Sequence, residues 1–381
     1  MHISYWAPYF DKIATVKSVK NSVKSLILFY KKPKNIDLVN FYGEWSNNKI
    51  ENIDEKDLNY INFYSNKILS FLPKNSFLKS RISYLIIFLL GIYPLIKYLK
   101  KNKPNYFLVH LISSLPLTLL IFFNFKTKFI LRVSGLPKLN LVRKFIWKLS
   151  NKKIYKVFVP TQATLNTLKK QKIFDEKKLV LIRDPVIDIK AVRKNLNKNT
   201  IDFDNYFLSI GRLTRQKNHT LLLKAFKHIY DQNREYKLII LGDGELKNKL
   251  IKLSEDLGIS KAVNFIGNVE NVFEYINKSI CVISTSLWED PGFVMIETAV
   301  SKKIIISSDC PNGPREFLEN GQNGILFKSN IKNELFKSFE KYLTMEKKEI
   351  YQKKIRLKNN SKKYTIFYHY LRLNQIMKNC D

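Results

Sequence analysis

The 381-residue chain holds only 12 glycines, 12 prolines and three cysteines, and each scarcity closes a class of protein. With 45% hydrophobic and 13% aromatic residues beside so little glycine and proline, the chain is neither collagen-like nor mainly disordered. Cys281, Cys310 and Cys380 are odd in number and lack both zinc-ligand spacing and the density of a disulfide framework. That usage suits a reducing compartment. Acidic residues are also short, 32 against 66 lysines and arginines. The first dozen residues carry no compact apolar run ending in small residues, so the reading is of a chain without a signal peptide, working on the cytoplasmic side. No glycine occurs in residues 6–17 (WAPYFDKIATVK), where a strand-to-helix loop is expected.

What is present begins with size and charge. The length suits two domains, each with its own apolar interior. Residues 1–190 contain 34 lysines and arginines against 11 aspartates and glutamates, so +23 of the chain's +34 lies in the first half. Such a surplus suits nucleic acid or anionic lipid headgroups, each basic residue near a membrane contributing about 1 kcal/mol; codon bias in a Lys-, Asn- and Ile-rich chain is a partial alternative cause. Two uncharged runs bear on the membrane, residues 82–96 and 104–125. The second is interrupted by polar residues and reads as a short strand over 106–109 followed by a helix from Ser113 or Ser114. Residues 84–99, followed by Lys100, Lys101 and Lys103, read as an apolar helix with a basic exit, either core or lying in the membrane interface.

The second half predicts strands over 206–210, 237–241, 262–266, 280–284 and 303–307, with helices over 219–230, 245–257, 271–277 and 293–300 between them. Alternation at this spacing means an open parallel sheet covered on both faces. The first half repeats the theme with strands over 2–5, 36–41, 106–109, 128–133 and 157–161. A polar segment at 191–204 marks the expected boundary. The α/β assignment is therefore a first domain over 1–190, an interdomain segment over 191–204, a second domain over 205–355 and a tail over 356–381 able to return to the first.

Three stretches carry chemistry. In 209–218 (SIGRLTRQKN), Gly211 falls just past a strand, and Arg212 and Lys217 occupy the loop at the sheet's carboxyl edge. A diphosphate needs such a pair, a fixed guanidinium for two-point contact and an ammonium as a mobile charge. In 289–297 (EDPGFVMIE), two carboxylates flank a glycine at the opening of a helix, whose free N–H groups and positive end favour a phosphate. In 104–110 (PNYFLVH), His110 closes a strand, where a lone histidine is either a satisfied core residue or a hydrogen-bonding group for a ligand. Gly242-Asp243-Gly244 lacks the dinucleotide-binding spacing and reads as a strand-to-helix turn. Asp202 and Asp204 have the spacing of a metal-binding pair but precede a strand, away from the expected site.

Taken in order, Gly211-Arg212 with Lys217, residues 241–245 (LGDGE), 265–268 (FIGN) and 289–297 resemble the retaining glycosyltransferases of family 4 (glycosyl transferases group 1). The likeness is strong over 203–330 and fair over 1–190. It implies a GT-B fold, two Rossmann-like domains with parallel sheets facing across a cleft. It implies that Arg212 and Lys217 contact the donor diphosphate, that Glu289 contacts donor-sugar hydroxyls and that Glu297 holds the ribose. Gly292, Phe293 and Val294 would cradle diphosphate and sugar, with Gly267 and Asn268 beside the base. His110 matches the second of two histidines that end a family strand; Leu108 replaces the first. Two departures stand out: Glu289-Asp290-Pro291-Gly292 where many members read Glu-Gly-Phe-Gly, and the glycine-free loop after the first strand.

These features together predict a hexosyltransferase-type enzyme moving a sugar from a UDP- or GDP-sugar, with no metal or other cofactor, to a lipid-linked saccharide in polysaccharide or lipopolysaccharide synthesis. Its expected partners are the nucleotide-sugar donor, the lipid-linked saccharide acceptor and an anionic membrane surface, with no nucleic acid. Its expected place is cytoplasmic and peripheral on the inner face of the cell membrane. The alternatives are a soluble transferase acting on a sugar phosphate or free glycan, and a basic nucleic-acid-binding protein.

Overall fold

The computed structural model describes residues 1–10, 14–32, 34–46, 49–51, 53–65, 77–135, 139–196, 201–329, 331 and 333–378. The chain forms two compact units, Met1–Pro185 with Ile366–Asp381, and Val186–Thr365. The dividing point thus lies at Pro185, not within 191–204; Ile189–Leu196 of that span is helix, and residues 197–200 fall outside the described residues.

The first unit is built on seven parallel strands, β1 (His2–Trp6), β2 (Asn35–Asn40), β3 (Asn59–Asn62), β4 (Tyr106–Val109), β5 (Lys128–Arg132), β6 (Lys156–Val159) and β7 (Leu179–Leu181), in the order β3-β2-β1-β4-β5-β6-β7. The expected strands appear with boundaries shifted by a residue or two. The short β3 and β7 went unread because β3 begins and ends on asparagine and β7 is only three residues long, in a stretch flanked by Lys178 and Arg183. Strand order reverses between β1 and β4, where β1 pairs Ile3 with Tyr106 and Trp6 with Val109. Ligands of open parallel sheets bind beyond the carboxyl ends of strands at such a reversal.

The run at 104–125 divides into β4 and the helix Ser114–Phe122, as its polar interruptions predict. The helix of residues 84–99 proves longer, Phe77–Asn102, with Pro94 inside it. Its segment Arg81–Asn102 is long and apolar enough to cross a membrane by length and composition, and 33% of that apolar window is buried. Ser83, Ile87, Gly91, Leu95 and Leu99 recur every four residues and are buried, so one stripe docks on the first unit. Gly91 permits this docking, because a Cβ there would lie 2.4 Å from Leu115 Cδ2. The opposite face is also apolar, and Leu85, Leu89 and Tyr93 stand exposed.

The returning helix Ile366–Lys378 packs on the helix Ala14–Phe29 of the same unit. A relay of hydrogen bonds fastens it. His369 Nδ1 faces the Arg183 carbonyl at 3.1 Å and must donate to it, so Nε2 accepts from Ser22 Oγ at 2.9 Å, which in turn receives the Tyr5 hydroxyl at 2.9 Å. Burial, outweighing the Arg183 carbonyl, pushes the His369 pKa down to about 4.

The second unit is a six-stranded parallel sheet of β8 (Tyr206–Ile210), β9 (Lys237–Leu241), β10 (Val263–Gly267), β11 (Val282–Ser284), β12 (Ile305–Ser308) and β13 (Ile325–Phe327), ordered β10-β9-β8-β11-β12-β13. Its strands are near-continuous apolar runs because helices cover both faces. The reversal falls between β8 and β11. Val186 and Ile187 both donate N–H to the Tyr364 carbonyl, at 2.9 and 3.0 Å, tying together the two ends of the unit.

Candidate functional site

In the second unit the carboxyl ends of β8, β9 and β10 are laced by backbone bonds. Gly211 N donates to Leu241 O at 2.9 Å, Gly242 N to Gly267 O at 2.7 Å, and Leu213 N to Asp243 O at 2.9 Å. Gly242 has φ +128°, and a Cβ there would fall 2.1 Å from the Gly211 carbonyl oxygen, so no larger residue fits this seam. The turn expected at residues 242–244 therefore shapes the neighbouring loop as well as its own.

That neighbouring loop carries Arg212 and Lys217. Arg212 is exposed, while the Lys217 side chain lies over Gly211, whose missing side chain makes the room. Across the strand-order reversal, the loop after β11 supplies the counterpart. Lys217 Nζ donates to Glu289 Oε1 at 2.5 Å, and Ser286 Oγ donates to the same oxygen at 2.6 Å. Thr285 Oγ1 bonds the Lys217 carbonyl at 2.8 Å, and Gln216 Nε2 bonds the Trp288 carbonyl at 2.9 Å. Two loops 72 residues apart are thus clamped by side chain and backbone together. The Asp290–Pro291 peptide is cis, and Gly292, at φ +95°, then opens the helix Phe293–Val300.

The structure brings Gly211, Lys217, Glu289 and Gly292 together, with Arg212 on the same loop as Lys217. Gly292 lies against Glu289, because a Cβ on it would meet that residue's Cβ at 3.5 Å. Phe293 and Val294 form the first turn of the helix, and Glu297, buried, sits in its second turn. Gly267 ends β10 with φ +86°, and Asn268 follows it exposed. Asp202 and Asp204 stand exposed at the amino end of β8, a strand's length, about 17 Å, from the Gly211 loop.

Sequence reading missed Ser286 and Gln216, although Ser286 lies three residues before Glu289, a spacing that lets a hydroxyl reach a carboxylate in one turn. It also missed His219, buried just behind Lys217, whose pKa burial and the Lys217 ammonium push down to about 4.

His110 belongs to the first unit and is assessed there. It closes β4 at the strand-order reversal, its N–H bonded to Trp6 O at 2.9 Å and its ring stacked on Tyr5. The ring is buried, and neither nitrogen has a hydrogen-bond partner among the described residues. Burial first, then the Arg132 guanidinium and His369, hold it well below the usual histidine range, so it is neutral. It lines a cavity of about 640 Å³ beyond the ends of β4 and β5. Arg132 lines that cavity too, but it is engaged elsewhere, Nη2 on Asp184 Oδ1 at 2.5 Å and Nη1 on the Ile182 carbonyl at 2.9 Å.

Residues 191–364 match the model of the family described as glycosyl transferases group 1. An uncharacterized glycosyltransferase of Methanocaldococcus jannaschii is 33% identical over 248 residues, covering 59% of this chain and 61% of that protein. The N-acetylgalactosamine-N,N'-diacetylbacillosaminyl-diphospho-undecaprenol 4-alpha-N-acetylgalactosaminyltransferase of Campylobacter jejuni is 26% identical over 254 residues, 65% of this chain and 66% of that one. The matched stretch is therefore somewhat under two thirds of each relative. Among solved structures, Anabaena HepE in complex with UDP and glucose superposes with a TM-score of 0.70 over the whole of both chains at 12% identity. The fold is GT-B, and the segment that matches the glycosyl transferases group 1 model spans nearly the whole of the second unit.

Proposed function

We propose that the protein is a retaining glycosyltransferase that moves a sugar from a UDP- or GDP-sugar to a lipid-linked saccharide in cell-surface polysaccharide synthesis. The observation that carries this reading is the clamp of Lys217 on Glu289 beside Gly211 and Gly292, lying inside the segment that matches the family. Arg212 and Lys217 would neutralise the departing nucleoside diphosphate, stabilising charge that grows only as the sugar leaves. With Glu289 Oε1 engaged by Lys217 and Ser286, Oε2 is the oxygen offered to a donor-sugar hydroxyl. Glu297, one turn into the helix behind Gly292, suits the ribose, and the helix opening at Phe293 and Val294 suits the phosphates. Gly267 and Asn268, at the end of the adjoining strand, suit the base. Neutral His110 would orient a sugar hydroxyl. Leaving-group charge is met by cationic side chains, and the reading assigns no role to a metal.

The lipid-linked acceptor is supported by the Campylobacter relative, whose name specifies a diphospho-undecaprenol substrate, and by the basic first half with its exposed apolar helix. A peripheral position on the cytoplasmic face of the membrane follows from the same surface. The test is transfer or slow hydrolysis with a panel of UDP- and GDP-sugars, with and without EDTA. Turnover of one sugar with unchanged anomeric configuration, persisting in chelator, is the expected result. Inverted product, or activity that EDTA abolishes and Mg²⁺ restores, overturns the mechanism.

A further inference from the structure

A cavity of about 500 Å³ opens in the first unit at the amino ends of β1, β4 and β5, three neighbouring strands of its sheet. That edge is opposite to the one at which ligands of open parallel sheets bind. We propose that the cavity is a separate anion site, taking a compact phosphate ester that carries two phosphates and free hydroxyls, and that its occupant pins the returning helix Ile366–Lys378 to the sheet. Neither the Gly211 loop nor His110 takes part.

The first observation behind this is charge. Lys32, Lys126, Lys128 and Lys378 reach the wall from three segments of the chain, and no aspartate or glutamate lines it. None of the four forms an ion pair among the described residues. Lys128 alone is engaged, its Nζ lying 5.6 Å and 5.3 Å from the ring centroids of Tyr106 and Tyr155. Capping of helix ends does not account for the cluster. The helix Ala14–Phe29 already has Lys34, whose Nζ donates to the carbonyls of Ile27 at 2.9 Å and Tyr30 at 3.1 Å. The end of Ile366–Lys378 brings roughly half a negative charge, small against four ammonium groups. Gathered around one concave space, these focus a positive potential into it.

The second observation is an unmet polar atom. Asn374 Oδ1 is buried in the same wall and has no hydrogen-bond partner among the described residues. A buried acceptor is costly unless water or a ligand brings it a donor. Phosphate dianions only accept, so this atom selects a ligand with hydroxyls beside its phosphates. The third observation is the frame. Asn105 Oδ1 accepts from His2 N at 2.7 Å, Lys128 N donates to Asn105 O at 3.0 Å, and the Tyr106 hydroxyl donates to the Met377 carbonyl at 3.2 Å. These bonds join the strand ends and the returning helix into one wall, so the space is formed before a ligand arrives. A ligand touching Lys126 on one side and Asn374 and Lys378 on the other would add to the same joint.

The probe is fructose 1,6-bisphosphate, compared with inorganic tripolyphosphate, which lacks hydroxyls, and glycerol, which lacks phosphate. Binding is read by equilibrium dialysis with UDP and GDP in excess, so that any nucleotide site is filled. Both phosphates should bind and glycerol should not, and the bisphosphate should raise Tm because it is held by the folded chain alone. Lys126→Gln with Lys378→Gln should weaken both phosphates about tenfold. Lys144→Gln with Lys148→Gln, which removes equal charge from the helix Leu141–Ser150 outside the cavity, should change them less than about twofold. Asn374→Ala should weaken the bisphosphate about fivefold, the loss of one hydrogen bond, and leave tripolyphosphate unchanged. Amide exchange over 366–378 should slow in the bound chain. Vesicles of phosphatidylglycerol and of phosphatidylcholine, added as competitors, separate the sources: displacement of the probe by the first alone assigns a lipid headgroup, and its absence a soluble ester. No binding by the parent chain, parent-like binding by the Lys126, Lys378 variant, or equal losses in the two lysine variants overturns the site. An Asn374 variant that treats both phosphates alike overturns the hydroxyl preference, and unchanged exchange over 366–378 overturns the pinning.

Discussion

Nine of the twelve glycines fall after residue 200 and three before it, whereas two thirds of the net positive charge lies in the first 190 residues. The two units therefore build their candidate sites from different material. In the second unit the site is made where backbone meets backbone, and only glycine lets Gly242 lie against Gly211 or Gly292 turn the chain into a helix. In the first unit the site is a cavity walled by side chains on helices, and its chemistry comes from arginines, a histidine and serines. Backbone-built sites constrain residue identity tightly. Side-chain cavities tolerate many solutions and leave fainter marks.

The sharpest way to break this contrast is at the second unit's cationic pair. Changing Arg212 and Lys217 together to Ala should cost about 3 kcal/mol in the transition state, roughly a hundredfold or more in kcat, measured well below a Tm that falls somewhat because Lys217 pairs with the buried Glu289. Parent-like turnover in the folded double variant would remove the clamp from the mechanism.

A second comparison sets glycine against glycine. Gly242→Ala places a Cβ against a carbonyl oxygen at positive φ and should lower stability by about 1–3 kcal/mol while also weakening nucleotide binding, because the Gly211 loop must shift. Gly91→Ala in the first unit meets the movable ends of Leu115 and Phe41 and should lower Tm without touching nucleotide affinity. Thermal melts with and without UDP or GDP distinguish the two, and equal loss of nucleotide binding in both variants would erase the distinction.

The effect spread most gradually over conditions concerns pH. Because burial depresses His369 to about 4 from an ordinary value near 6.5, the folded state disfavours its protonated form; its contribution is full above about pH 6.5 and is lost as pH falls through about 4. The limit is about 3 kcal/mol. Chemical denaturation of the parent between pH 7 and 4 should show this loss, and His369→Gln should flatten the slope. An unchanged slope in the variant would assign the acid sensitivity to other groups.

The contrast also explains what could be read from residues alone. Gly211, Lys217, Glu289 and Gly292 were legible because each identity answers a backbone demand or a charge demand at a strand end. The paired parallel sheets were legible for a similar reason, since strands buried on both faces appear as uniform apolar runs such as residues 238–241. Lys126 and Lys378 were not, because in a chain with 66 lysines and arginines nothing local separates a lysine over a cavity from one in water. The outward face of Leu141–Ser150 was hidden likewise: Trp147 points inward and Phe145 outward, and periodicity alone does not say which stripe is covered. The boundary was misplaced because Val186 and Ile187, apolar and buried, belong to the second unit before its first strand begins.

The returning helix Ile366–Lys378 gives the chain an order of assembly. The second unit is a single continuous stretch of polypeptide, whereas the first is completed by its final segment, with Leu373 and Met377 filling its core and the Tyr106 hydroxyl bonded to the Met377 carbonyl at 3.2 Å. During synthesis from the amino terminus, the half that is made first is finished last. Until then the groove beside the helix Ala14–Phe29 stays open, and the nascent first unit presents apolar surface for the whole time that the second is being translated.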